Sequence, residues 1–261
     1  MYSHNLDPVL IDFGLITVRW YSLAYFFGII IGWWLGKKIL NHISKNIDLK
    51  FDSKDFDDLI TYIIVSLIIG GRLGYVIFYN LGYYISNPFD IIKIWEGGMS
   101  FHGALIGIIL GTYLFSKKKI VPSFILLDIV ACVSPIGIFL GRIANFINGE
   151  LIGKATAVPW SVIFPDIDLL PRHPSQLYEA LLEGLVLFLI LNILIFKQKY
   201  RMGTCSSLFL ICYGVFRVIS ELFRQPDEQL GYLFNTLSMG TILSSFMILT
   251  GLTLFFTFKK K

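Results

Sequence analysis

Arginine, glutamate and asparagine side chains occur in this chain inside apolar blocks, where a membrane-spanning helix would normally exclude them. Arg142 and Asn145 are three residues apart and would share one face of a continuing helix. Glu150 follows in a turn that the pair Asn148-Gly149 signals. An arginine alone could extend its charge to the membrane surface, but that does not explain the amides, the carboxylate and the glycines beside it. The cluster therefore indicates a functional site.

A second cluster places charges at helical intervals near the end of another apolar block. Arg217, Glu221 and Arg224 are four and three residues apart, so they lie on one helical stripe. Alternating charges can neutralise one another without doing any chemistry. They can also line a wet cavity in which Arg217 binds an anion. Guanidinium groups keep their charge when desolvated and bind phosphate through paired hydrogen bonds, so phosphate is the anion that both clusters favour.

Further polar residues begin or interrupt the neighbouring blocks. His102 opens one block; a histidine there is often structural, but its ordinary pKa near ~6.5 suits proton transfer at neutral pH. Glu179 and Glu183 lie four residues apart in a segment that should cross the membrane, and we expect them to pair with the arginines. Arg72 lies among glycines in a further block. Tyr21 begins the first block, where it could equally belong to an aromatic belt.

The elements that must position these residues are membrane-spanning helices. Hydrophobic residues make up 55% of the 261 residues and charged residues only 15%, whereas soluble domains carry roughly a quarter charged residues. Seven blocks approach the ~20 apolar residues that a spanning helix needs, and helices satisfy their own backbone hydrogen bonds in lipid. We therefore predict an all-α polytopic membrane protein that forms a single integral-membrane domain, 1–261, with one longer outer loop, 145–174. The seven predicted transmembrane helices run roughly over 19–36, 58–80, 99–115, 123–144, 175–196, 203–222 and 236–258.

Lysine and arginine collect in alternate loops, which predicts the orientation in the membrane. They follow the first, third, fifth and seventh blocks, and the positive-inside rule makes that side cytoplasmic. The N-terminus is then outside and the C-terminus cytoplasmic, and the unusual polar residues gather in the outer halves of their blocks. This one-sided gathering predicts a polar cavity that opens outward. The basic loops contain Lys37, Lys38, Lys45, Lys50, Lys54, Lys117, Lys118, Lys119, Lys197, Lys199, Arg201, Lys259, Lys260 and Lys261.

Other patterns indicate structure or exclude whole classes of function. Gly103, Gly107 and Gly111 recur every four residues, which is typical of close helix packing in membranes. None of the three cysteines belongs to a CxxC motif or a Cys/His cluster, so we expect no metal there. No basic tail or basic helix favours a nucleic-acid partner. HExxH, GxSxG and aspartate-rich metal motifs are also absent, which favours transfer chemistry in which the substrate brings the nucleophile.

Several segments together resemble the prolipoprotein diacylglyceryl transferase family, and the resemblance extends through nearly the whole chain. The most specific segment is GRIANFINGELIG, from Gly141 to Gly153. Small departures occur at Ala144 and Ile152, where Gly and an aromatic residue are expected, and at Lys154, where Arg is usual. The other segments are Phe101-His102-Gly103, Arg172-His173-Pro174-Ser175-Gln176-Leu177-Tyr178-Glu179 and Phe223-Arg224-Gln225-Pro226-Asp227.

The resemblance implies a reaction, its partners and a place in the cell. The diacylglyceryl group of phosphatidylglycerol would pass to the lipobox cysteine thiol of a prolipoprotein in a bacterial plasma (inner) membrane, on its periplasmic or extracellular side. A thioether would form, glycerol 1-phosphate would leave, and no cofactor or metal would be needed. Arg142 and Arg217 would hold the phosphate, and His102 would remove the thiol proton, with Glu150 as its rival. The residues expected to contact substrate or to hold those that do are Arg142, Asn145, Tyr21, Gly153, Glu221, Arg224 and Arg72.

Two other classes of protein stay open at this point. A secondary transporter for an anionic solute would also bury arginine and glutamate, but it should carry polar residues through the inner half of the membrane, where Asp128 stands almost alone. Inverted repeats with broken helices are not evident either. A non-catalytic lipid-binding protein is the third class. Formation of a thioether product separates the enzyme from both.

Overall fold

The computed structural model describes residues 2–14, 17–45, 47, 49–197, 200–226 and 238–259. Asp227 of the last resembling segment, Lys199, Lys260 and Lys261 of the basic loops, and residues 236–237 of the seventh block lie outside this part of the chain. The chain forms two compact units. The first unit comprises residues up to His42 together with those from Asp128 onward, and the second comprises Ile43–Leu127. Whether they form a single membrane domain stays a prediction.

Helices dominate both units, and short strands lie among them. In chain order the elements are β1 (Tyr2–Ser3), β2 (Val9–Asp12), β3 (Thr17–Arg19), α1 (Trp20–Ser44), α2 (Ser53–Tyr79), α3 (Leu81–Ser86), two 3-10 turns (Pro88–Ile92 and Ile94–Glu96), α4 (Phe101–Lys119), α5 (Ser123–Ile147), β4 (Val162–Ile163), β5 (Pro171–Arg172), α6 (Ser175–Glu179), a π-helical turn (Ala180–Val186), α7 (Leu187–Lys197), α8 (Thr204–Glu221) and α9 (Met239–Lys259).

Six segments in the described residues are long and apolar enough to cross a membrane, which confirms the prediction of a helical, multi-pass protein. The third predicted block is the helix α4, but its glycines, His102 and terminal lysines dilute its apolar character. A seventh span, the orientation of the termini and the outward-facing cavity stay predictions. The six segments are Trp20–Ser44, Ser53–Tyr79, Ser123–Ile147, Ser175–Lys197, Thr204–Glu221 and Met239–Phe258.

In the second unit, α2 packs directly on α4 through glycine. A Cβ on Gly70 would lie 2.7 Å from the Cα of Gly107, and one on Gly74 would lie 2.6 Å from the Cα of Gly103. Such distances leave no room for a side chain, so the two backbones touch. The predicted close packing of the Gly103, Gly107 and Gly111 stripe is therefore confirmed.

In the first unit, a buried carboxylate fixes the start of α8. Asp128 on α5 accepts hydrogen bonds from the Tyr200 hydroxyl at 2.9 Å, the Gly203 N–H at 2.6 Å and the Ser206 N–H at 2.7 Å. These backbone donors belong to the first turn of α8, whose N–H groups have no partner within the helix. Asp128 therefore caps α8 from another helix, which is a structural role.

The all-α prediction misses the strands that shape the outer loop and the N-terminal segment. β1 runs parallel to β4, and β4 runs antiparallel to β5, so the first residues of the chain join the loop between α5 and α6. β2 and β3 form an antiparallel hairpin that leads into α1. The predicted fifth span is present as Ser175–Lys197, and a π-helical turn lies within it between α6 and α7.

Candidate active site

Glu179, at the end of α6, holds three arginines in the interior of the first unit. Its side chain is fully buried. Its Oε2 lies 2.8 Å from Arg142 Nε and 3.0 Å from Arg217 Nη1, and its Oε1 lies 3.3 Å from Arg224 Nη1. Arg142 belongs to α5 and Arg217 to α8, so a single carboxylate oxygen joins two predicted membrane helices. The two arginines assigned to the phosphate thus lie side by side.

Two further carboxylates complete this ion-pair network. Glu183 is also fully buried, and its oxygens lie 3.5 Å from Arg142 Nη2 and 3.6 Å from Arg217 Nη1. Glu221 pairs with Arg217 Nη2. Three carboxylates therefore face three guanidinium groups, as the sequence predicted for Glu179 and Glu183. Buried charges need such pairing, because removing one partner leaves an uncompensated charge.

The π-helical turn positions both buried glutamates. Glu179 ends the α-helical turn before it, and Glu183 lies within it. A Cβ on Gly184 would lie 2.8 Å from the Cα of Phe139, so this turn packs against α5 one helical turn before Arg142. Single π-helical turns recur at functional sites in helices. Sequence periodicity assumes a regular helix and cannot reveal this turn.

The turn after α5 fixes Glu150 through amide groups. Asn145 Nδ2 donates to Glu150 Oε2 at 3.0 Å, and Asn148 Nδ2 donates to Glu150 Oε1 at 3.1 Å. Gln176 Nε2 donates to the Glu150 backbone carbonyl at 2.5 Å. Gly149 has a φ of 68°, which favours glycine. Asn145 and Glu150, which the sequence analysis grouped in one cluster, are thus brought together, and both Glu150 oxygens are engaged.

The outer loop is joined to the end of α8 at Gly153. Gly153 pairs with Arg224 in a short bridge, and its carbonyl accepts a hydrogen bond from Arg172 Nη1 at 3.0 Å. A Cβ at this position would lie 2.9 Å from the His173 carbonyl carbon and nearer still to its oxygen. Lys154 Nζ donates to the Leu222 carbonyl at 2.9 Å, beyond the end of α8. Close backbone packing therefore requires glycine at 153.

Charges in this loop shift the pKa values of its ionisable groups. Arg172 also donates to Asp168, which lowers the pKa of that carboxyl, and the same pair raises the pKa of Arg172. Partial burial, and then the charge of Lys154, lower the pKa of His173. His173 Nδ1 lies 3.2 Å from the Tyr178 hydroxyl. The loop is thus tied by ionic and polar contacts that its sequence pattern did not predict.

Arg72 belongs to the second unit and binds backbone carbonyls. Its Nε donates to Ile91 O at 2.8 Å, and its Nη2 donates to Asp90 O at 2.6 Å and to Lys93 O at 3.1 Å. Its Nη1 donates to the carbonyls of Gly98, at 3.2 Å, and of Gly97. All three guanidinium nitrogens are used in holding the segment between α3 and α4. The expected contact of Arg72 with substrate stays a prediction beside this structural role.

The remaining two predicted residues begin helices. His102 lies in the first turn of α4, partly exposed, with its ring edge-to-face with that of Phe101. Tyr21 lies in the first turn of α1, and its ring packs against that of Tyr25 with centroids 5.1 Å apart. The two hydroxyls are 3.4 Å apart. Sequence reasoning missed Tyr25, although the spacing of four residues places the pair on one face of α1.

Two arginines of the network stay partly accessible. The Arg142 side chain is 16% exposed and that of Arg217 is 11% exposed. Within the described residues, Nη1 of Arg142 makes no hydrogen bond or ion pair. A ligand that reaches the network therefore meets an unused guanidinium donor. In the described part of the chain, no group of three or more His, Cys, Asp or Glu side chains is arranged to hold a metal ion.

Comparison with known proteins identifies the family. A family described as prolipoprotein diacylglyceryl transferase matches residues 8–257. A phosphatidylglycerol–prolipoprotein diacylglyceryl transferase of Rickettsia felis is 50% identical over 95% of both chains. The protein of the same name from Rickettsia canadensis is 48% identical over 97% of both chains. The matched region contains every residue of the ion-pair network, and the chain belongs to the prolipoprotein diacylglyceryl transferase family.

Proposed function

We propose that this chain transfers the diacylglyceryl group of phosphatidylglycerol to the lipobox cysteine thiol of a prolipoprotein and releases glycerol 1-phosphate. Family membership and the names of the relatives support the reaction and both substrates. The observation that carries the proposal is that Arg142 and Arg217 contact the same carboxylate oxygen of Glu179. It holds two permanent positive charges together between apolar helices, where a phospholipid phosphate can be met.

The bond changes define what the site must do. A carbon–sulfur bond forms at the glycerol carbon that carries the phosphate ester, and the carbon–oxygen bond to phosphate breaks. Negative charge grows on the leaving phosphate as this bond breaks. Arg142 and Arg217 would stabilise that charge, because they are already held in place and need little reorganisation. The same positive charge would favour the thiolate, which is the nucleophilic form of the cysteine.

The thiol proton needs an acceptor, and His102 is the candidate for this role, with Glu150 as its rival. Both Glu150 oxygens accept amide N–H bonds, which fix this carboxylate in the turn after α5. An imidazole side chain suits proton transfer at neutral pH. Glu150 and Asn145 would instead orient oxygens of the lipid headgroup, and Tyr21 would contact the headgroup or the peptide.

The place of the reaction follows from the predicted topology. By the positive-inside rule we expect the lysine-rich loops to be cytoplasmic and the network to lie toward the other side, so the reaction would face the periplasmic or extracellular leaflet of a bacterial plasma (inner) membrane. There the enzyme would meet membrane lipid and the signal peptide of a prolipoprotein. The compact outer loop, 145–174, would then lie above the membrane beside the reaction.

Purified protein in vesicles tests the proposal directly. Labelled phosphatidylglycerol and a lipobox peptide should give a thioether-linked product with the native chain. Arg142→Ala should insert normally and give no product, whereas Arg201→Ala, an exposed arginine outside the network, should keep full activity. Full transfer by Arg142→Ala would remove the phosphate role of this residue. Flux of an anionic solute without product would favour a transporter instead.

A further inference from the structure

The start of α9 contacts the Arg217–Glu221 pair. Ser238 directly precedes α9 and is 8% exposed. Its hydroxyl lies 2.8 Å from Glu221 Oε2 and accepts a hydrogen bond from the Thr241 backbone N–H at 3.1 Å. Serine before a helix often satisfies the first N–H groups in this way. This serine also joins the cap to a carboxylate of the network.

The partners of the Ser238 hydroxyl decide where its proton points. An ionised carboxylate paired with arginine only accepts hydrogen bonds, so Ser238 must donate to Glu221. The Thr241 hydroxyl, 3.0 Å away, must then donate to Ser238. The single donor position and both acceptor positions of the Ser238 hydroxyl are thereby filled. One orientation of Ser238 follows, and it points at Glu221.

Gly240 contacts the other oxygen of the same carboxylate. A Cβ at this position would lie 2.9 Å from Glu221 Cδ, closer still to Oε1, and 3.5 Å from Arg217 Nε. Oε1 is the oxygen that pairs with Arg217 Nη2. Any larger residue at 240 would therefore displace the ion pair itself. The first turn of α9 thus holds both oxygens of Glu221, and its positive end favours a carboxylate there.

We propose that Ser238 and Gly240 are positioning residues for the transfer reaction. They fix the Glu221 carboxylate and, through it, the orientation of the Arg217 guanidinium towards the phosphate. Neither residue needs to touch a substrate. This inference rests on the proposed function, and it adds the last predicted span to the elements that build the site.

Substitution of Ser238 separates this role from simple packing. Ser238→Ala removes a hydrogen bond to a charged group and should lower kcat about tenfold, with little change in KM for phosphatidylglycerol. Ser238→Thr keeps the hydroxyl and should restore most of the activity. Ser245→Ala is the matched control, because Ser245 lies on the same helix, is exposed, and donates a hydrogen bond to the Thr241 carbonyl at 2.9 Å rather than to the network. Equal losses in the Ala and Thr variants, or a loss confined to KM, would overturn the proposal.

A double-mutant cycle tests whether Ser238 acts through Glu221. Glu221→Gln should lower kcat, and adding Ser238→Ala to it should cost no further activity if the serine acts only through that carboxylate. Gly240→Ala should behave in the same way, with a large loss in the native background and a small one beside Glu221→Gln. Losses that multiply in the double variants would overturn the proposal, even if every variant folds.

One comparison distinguishes this proposal from the proposed function. If Arg142→Ala is inactive while Ser238→Ala and Gly240→Ala transfer at the native rate, the function stands and the positioning role is wrong. If Arg142→Ala transfers at the native rate, the phosphate role fails, and the positioning role fails with it. Thermal melting of each variant, measured in the same vesicles, shows whether the protein used in the assay was folded.

Discussion

Glu179→Gln tests the central physical idea, that one buried carboxylate holds two phosphate-binding arginines in register. The substitution keeps the shape of the side chain and removes its charge. Two carboxylates would then face three guanidinium groups. The amide NH₂ would also replace one of the two acceptor oxygens, so a donor would face a guanidinium donor. Because Glu179 contacts Arg142, Arg217 and Arg224 at 2.8, 3.0 and 3.3 Å, no rotation of the amide can satisfy all of them.

The expected magnitudes follow from this geometry. Removing one partner from a buried ion pair costs about 3–5 kcal/mol, which is a large share of the roughly 5–15 kcal/mol that stabilises a typical domain. We therefore expect a folded protein with a clearly lower melting temperature. A shift of about 1 Å in the guanidinium groups should lower kcat about 100-fold, equivalent to ~2.7 kcal/mol in the barrier.

The effect on substrate binding has the opposite sign. A phosphate entering the Glu179→Gln network would supply the missing negative charge, so KM for phosphatidylglycerol should stay the same or fall. A variant that had only lost binding would show a higher KM with unchanged kcat. The two kinetic constants therefore distinguish lost orientation from lost attraction.

The assay measures initial rates against the fraction of phosphatidylglycerol in vesicles, with a lipobox peptide at saturation. Tryptophan fluorescence on heating gives the melting temperature of the same samples. Glu96→Gln is the matched control, because Glu96 is exposed and lies 3.8 Å from Lys93 in a weak surface pair. A Glu179→Gln protein with native kcat, or with only a raised KM, would contradict the idea.

Three further substitutions test separate parts of the site. For His102→Gln, the transfer rate relative to the native chain should recover from pH 7 to pH 9, because the peptide thiol then loses its proton unaided; a deficit that is constant over this range would move the base elsewhere. Gly153→Ala should lower both the melting temperature and transfer, since its Cβ would overlap the His173 carbonyl and overpacking costs about 1–3 kcal/mol; an unchanged melting temperature would contradict this packing. Arg172 lowers the pKa of Asp168, so this pair stabilises the fold above the unfolded pKa near ~3.9 and loses that effect as the pH falls through the lower folded value. Below about pH 4, the melting temperature of Asp168→Asn should therefore fall less steeply with falling pH than that of the native chain. Equal decreases in both proteins would contradict a stabilising role for this pair.

Sequence patterns predicted the helices well because the membrane imposes a local rule. A spanning helix needs a run of apolar residues of fixed length, and such runs can be counted without knowing their neighbours. The same rule did not predict the short strands or the irregular helical turn. β4 and β5 have two residues each, and each is held by pairing with another part of the chain rather than by its own pattern. The π-helical turn at Ala180–Val186 departs from the regular spacing on which helical periodicity relies.

The candidate site shows the same division between local and distant contacts. Asn145 and Glu150, or Arg217 and Glu221, are close in sequence, and helix or turn geometry alone brought each pair together. The partners of Arg72 were not predictable in this way, because backbone carbonyls carry no signature in a sequence. Its five bonds depend on the path of the segment that follows α3.

Composition and spacing were sufficient to predict a multi-pass helical membrane protein and to single out the arginines and glutamates, and the resemblance of several segments pointed to the family. Only the folded chain shows that Glu179 joins Arg142 to Arg217, and that Ser238 and Gly240 hold Glu221. The physical reason is that a helix determines which of its own residues share a face. Which faces then meet depends on packing between helices far apart in the sequence, where small residues and buried charges find their partners.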